Sequence, residues 1–158
     1  TTIRLLTLWD YDIGRPFLAA SVHRIGNARS YPVDNFRTGL GGLSAGIDPE
    51  SGILESCVYR SDAGPMVSCD YHPETGNPIK GVQVPNWKET VDNILRFSSR
   101  MPYLPFLGWD VLMTDDGCRI IETNPGSGLF VIQATRPLLA DQRVRRFLET
   151  HQCMRTAS

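Results

Sequence analysis

Residues 107–124 constrain the fold most. Leu107 to Thr114 is apolar and β-prone, Arg119 to Thr123 is likewise, and Asp115-Asp116-Gly117 lies between them. Two such runs around a Gly-containing turn read as a β-hairpin. A three-residue loop ending in Gly predicts a type I turn with Gly117 left-handed in a G1 bulge. That register sets Thr114 against Cys118 and Asp110 directly against Glu122. The two-residue period of a strand then places Asn124 on the face of Glu122. Carboxylates opposite each other repel, and a divalent cation between them removes the repulsion. An Asp/Glu pair alone reads better as solvated residues on the outer face of a sheet. Asn124-Pro125-Gly126, directly after the strand, tips the reading toward metal binding. Three hard oxygens without sulfur or imidazole suit Mg²⁺ (or Mn²⁺) better than zinc.

The rest of the chain supplies strands and a few helices. Ile3 to Trp9 and Pro16 to His23 form a second hairpin around Asp10 to Arg15, a run of turn residues. Tyr31 to Thr38 is polar and reads as a loop. Gly39 to Ile47 is a glycine-rich strand, Asp48 to Gly52 a strong turn, and Ile53 to Tyr59 the next strand. Ser61 to Lys80 is rich in Pro, Gly and Asp and holds at most short strand pieces. Asn86, with Glu89 three residues on, predicts a helix N-cap close to a capping box. The helix it starts carries Trp87, Val91, Ile94, Leu95 and Ser98 on one face. A short helix follows over 130–136. Asp141 caps a last one whose apolar stripe is Val144, Phe147 and Leu148. Strands outnumber helices and the hairpins are local, so the class is α+β, an antiparallel β-sheet with flanking helices.

The bulk numbers exclude several functions. A chain of 158 residues favours a single domain. A net charge of −1 without a basic stripe argues against nucleic acid or an anionic membrane as partner. No apolar run approaches the ~20 residues of a membrane span. Cys57, Cys69, Cys118 and Cys153 form no CxxC pair and read as scattered reduced thiols of a cytoplasmic protein. His23, His72 and His151 are too dispersed for a zinc site.

The "GWDV…(I)IETNPG" segment resembles the metal-binding end of ATP-grasp ligases. "TTIRLLTL", "AASVHRIG", "DNFRTGLGGLSAGID" and "HPETGNPIKGVQVPNW" extend the resemblance over most of residues 2–149. They are similar to the sugar-transfer associated branch, relatives of the α-L-glutamate ligases. The resemblance implies that Asp110, Glu122 and Asn124 hold Mg²⁺ or Mn²⁺, with Glu122 also serving ATP. It implies that Arg4 and Arg24 face the active site. A forked guanidinium suits a γ-phosphate or an acyl-phosphate. Asn35 matches an Asn that precedes the glycine segment in the glutamate-ligase relatives. Gly39, Gly41 and Gly42 would let backbone approach phosphate closely; without the resemblance they would read as a strand bulge. His72 and Lys80 fall in the branch-specific segment and are candidates for acceptor recognition, and Trp87 belongs to the same segment.

The implied function is an ATP-dependent carboxylate–amine (or thiol) ligase in saccharide or cell-surface polymer assembly. ATP and a small carboxylate and amine are its ligands. The chain begins Thr1-Thr2 inside a strand, and the family's adenine hinge and phosphate-binding Lys have no counterpart here. Residues 1–158 are therefore expected to be the C-terminal half of an ATP-grasp domain whose N-terminal half lies elsewhere. Two other readings stand beside this one: a non-catalytic binding half-domain, and a kinase-like member that releases its phosphorylated product without ligation.

Overall fold

The computed structural model describes residues 1–31, 36, 42–60 and 64–152. Among these, seven strands form one antiparallel sheet with three flanking helices. In chain order they are β1 (Thr2–Asp10), β2 (Arg15–Ile25), β3 (Leu43–Ile47), β4 (Leu54–Arg60), β5 (Met66–Cys69), α1 (Trp87–Ser99), β6 (Phe106–Thr114), β7 (Gly117–Pro125), α2 (Phe130–Gln133) and α3 (Gln142–Thr150). A 3-10 turn at Leu138–Ala140 precedes α3. The sheet order is β5-β4-β3-β2-β1-β6-β7, and every neighbouring pair is antiparallel. The α+β class expected from the sequence is observed.

Both faces of the sheet are covered around β1, which explains why that strand is apolar on both sides. Ile3 and Leu5 point into a core with Leu107, Trp109 and Val111 of β6, under Trp87 and Ile94 of α1. Leu6 and Leu8 point the other way, into a second core with Val22, Ile132, Val144, Phe147 and Leu148 beneath α2 and α3. A buried polar chain fastens the first core: Trp109 Nε1 donates to Thr7 Oγ1 at 2.9 Å, and Thr7 Oγ1 shares a hydrogen bond with Ser98 Oγ at 3.0 Å. Strand alternation therefore sends Trp109 into this core and Asp110 to the opposite face.

The β6–β7 hairpin differs from expectation in its turn. Thr114 pairs with Gly117 rather than Cys118, so only Asp115 and Asp116 connect the strands. Thr114 Oγ1 closes this tighter turn by donating to the Gly117 carbonyl at 3.2 Å. Gly117 takes the positive φ, 121°, that the turn requires. One register step is regained at a bulge between Asp110 and Val111, where Ile121 is the extra residue of β7. Beyond it Asp110 faces Glu122, as expected.

Other local expectations are corrected. Asn86 makes no side-chain cap bond; its backbone is left-handed at φ 51° and ψ 27°, whereas a capping side chain needs an extended backbone. Thr90 is buried on α1, while Val91 and Leu95 are only partly covered. The helix predicted over 130–136 ends at Gln133. Asp141 does cap α3, accepting from the Arg143 backbone N–H at 2.8 Å, and Val144, Phe147 and Leu148 form its buried face. Cys57 and Cys69 are not reduced thiols. Pairing of β4 with β5 sets them opposite each other, with Cα atoms 5.2 Å apart, and they form a disulfide. Cys118 is a free thiol, and Cys153 lies outside the described residues. No helix among the described residues is long and apolar enough to cross a membrane.

Candidate functional site

Four strand positions converge on the face away from α1. Arg4 of β1 lies directly opposite Asp110 of β6, which lies opposite Glu122 of β7. Arg24 comes from the end of β2. Arg4 Nε donates to Asp110 Oδ1, and its Nη2 donates to Oδ2 at 2.7 Å. Arg24 Nη1 reaches the same Oδ2 at 3.2 Å. The three side chains are 14%, 11% and 7% exposed for Arg4, Arg24 and Asp110, so these are shielded ion pairs. Burial by itself would raise the Asp110 carboxyl. The hydrogen bonds and charge of Arg4 and the charge of Arg24 outweigh it. They hold the group below the usual carboxylate range.

Glu122 and Asn124 occupy the exposed edge strand. Asn124 Nδ2 donates to Glu122 Oε1 at 3.0 Å, which confirms that they share a face and leaves the amide oxygen to point elsewhere. No group of three or more histidine, cysteine or carboxylate side chains among the described residues is placed to hold a metal. A cation here would rest on two carboxylates, one amide oxygen and oxygens of its ligand. That donor set fits Mg²⁺, which is commonly held by one or two carboxylates and substrate phosphates. Gly42 is buried immediately before β3. Asn35, Gly39 and Gly41 lie outside the described residues.

Two site residues escaped the sequence reading. Ser127 Oγ accepts from Arg4 Nη1 at 2.9 Å, tying the turn after β7 to the ion pair. Gly108 leaves room for it: a Cβ there would collide with the Ser127 side chain. The available signal was positional, since Ser127 is the first hydroxyl after Asn124-Pro125-Gly126.

A model of the sugar-transfer associated ATP-grasp family matches residues 1–145. The chain belongs to that family. No curated protein and no solved structure matches it significantly. Membership in this ATP-grasp family points to ATP-dependent, ligase-type chemistry with ATP as a ligand.

In this ATP-grasp chain the branch-specific segment does structural work. His72 Nδ1 accepts from the backbone N–H groups of Glu74 and Thr75 at 3.2 and 3.3 Å. Its Nε2 lies 3.2 Å from the Gly26 carbonyl, to which it must donate. Both ring nitrogens are thus used in tying the loop to the end of β2, and His72 offers nothing to an acceptor. Lys80 is exposed and paired with Asp70 at 3.5 Å. Trp87 packs over Gly52 and donates to the Pro49 carbonyl at 3.0 Å.

Proposed function

We propose that this chain carries the metal- and phosphate-binding wall of an ATP-dependent carboxylate–amine ligase. In this reading residues 1–158 are a partial ATP-grasp domain, and the wall that receives adenine is built by other residues. The observation that carries the reading is Asp110, gripped by two shielded guanidiniums and faced by Glu122. Both arginines present forked donors that serve a phosphoryl group as well as a carboxylate.

A carboxylate oxygen of the acid attacks the γ-phosphorus of ATP, and ADP leaves. The amine then attacks the acyl carbon, releasing phosphate and a proton. Mg²⁺ or Mn²⁺ on Asp110, Glu122 and Asn124 would neutralise charge on the β- and γ-phosphates. Arg4 and Arg24 orient the transferring group and stabilise its charge, and Ser127 holds Arg4 in place. The assignments of Asn35, Gly41 and Gly42 to substrate and phosphate rest on resemblance alone. The need for ATP argues for a cytoplasmic site of action. The Cys57–Cys69 disulfide pulls the other way, since such bonds are rare there.

Glu122→Gln tests the reading. The swap keeps size but removes a charge, so ATP turnover in the complete enzyme should fall by about 100-fold or more. Melting temperature should stay unchanged, because Glu122 is exposed. Near-normal turnover at low Mg²⁺ would show that Glu122 is not a ligand.

A further inference from the structure

Beside the Arg4–Asp110 pair lies a cavity of about 520 Å³, within the range of small-molecule sites. Its walls include Phe106, Leu129, Leu138, Leu139, Phe147 and Leu148, with Gln133 and His151 as further polar side chains beside Ser127, and among the described residues no Asp, Glu, Lys or Arg lines it. Ser127 belongs both to this wall and to the candidate site, where it accepts from Arg4. A molecule seated in the cavity with one end at Ser127 therefore has that end next to the guanidinium that grips Asp110.

The chemistry of the walls selects the occupant. At Ser127 a hydroxyl and a guanidinium offer hydrogen-bond donors, which suits an anionic end. Elsewhere among the described residues only the side chains of Gln133 and His151 are polar, so a saccharide or a dicarboxylic amino acid would leave most of its polar groups unpaired. Each buried polar group left unpaired weakens binding, because its hydrogen bonds to water are lost without replacement. We propose that the cavity receives the apolar body of a monocarboxylic acid, aliphatic or aromatic, with its carboxylate at Ser127. The assignment of this acid as the species that ATP activates rests on the ligase reading above; its binding does not.

Octanoate is the probe, with octanol, glucuronate and glutamate as comparisons. Calorimetric titration of the full chain should show millimolar or tighter binding of octanoate, at least tenfold weaker binding of octanol, and none of the two polar acids. Gln133→Trp, at an exposed position on the wall, should abolish octanoate binding. If that variant fails to fold, Gln133→Glu should do the same by charge repulsion. No octanoate binding, or binding that neither variant changes, overturns the assignment. In the complete enzyme with ATP and hydroxylamine as trap, octanoate should give its hydroxamate faster than glutamate or glucuronate. Hydroxamate from the polar acids but not from octanoate overturns the substrate class and leaves the ligase reading intact. Octanoate binding without hydroxamate from any acid keeps the cavity and sinks the ligase reading.

Discussion

Gly108 shows how little room the site allows at the level of single residues. The Ser127 side chain occupies the space where a Cβ would sit, and Arg4 Cδ is within 3.6 Å of that position. Gly108→Ala must therefore push Ser127 aside, and with it the guanidinium it holds. Overpacking of this kind costs about 1–3 kcal/mol. Urea denaturation should show that loss, and Gly108→Ala combined with Ser127→Gly should recover most of it, because the second change removes the colliding atoms. A loss that is no smaller in the double variant would mean that Ser127 is not what forbids the side chain.

Among the secondary elements, α3 is held by a charged cap. Asp141 accepts from the Arg143 backbone N–H and from its guanidinium at 2.7 Å, and α3 packs Phe147 and Leu148 onto the second core. The Arg143 side-chain bond, opposed by burial and helped by the backbone bond, lowers the Asp141 carboxyl below its usual value. A depressed carboxyl stabilises the fold fully above the unfolded value of about 3.9 and loses that contribution as pH falls through the folded value. Asp141→Ala should thus cost about 0.5–2 kcal/mol at pH 7, and the penalty should shrink below about pH 4. Chemical denaturation of both proteins at pH 7, 5 and 3 measures this. A penalty that stays constant to pH 3 would exclude a contribution from the charge.

For the molecule as a whole, one antiparallel sheet with helices on both faces presents the arginines and carboxylates on one side. Burying most of a nucleotide takes walls on both sides of a cleft, and the proposed half-domain provides one. The 158-residue chain alone should bind ATP–Mg²⁺ more weakly than low micromolar, that is, less favourably than roughly −8 kcal/mol. Calorimetric titration with ATP and Mg²⁺ is the direct measurement. Low-micromolar affinity would show that a second wall is dispensable.

Strand alternation and local turn chemistry were legible in the sequence, because they depend on neighbours two to four residues apart. They placed β1, β2, β4, β6 and α3, the α+β class, and Asp110 against Glu122 with Asn124 beside it. The predicted turn was one residue too long, and the Asp110–Glu122 pairing stands only because a bulge at Val111 restores the step. That bulge is a tertiary decision, taken where β6 must also pair with β1. Arg4, Arg24 and Asp110 are far apart in the chain, and nothing local says that two guanidiniums will share one carboxylate. The same holds for Cys57 and Cys69, whose meeting follows from strand pairing, and for His72, whose ring is consumed by a turn and the Gly26 carbonyl. Period and propensity act within an element, whereas shared partners arise only when the sheet order β2-β1-β6-β7 brings distant strands side by side.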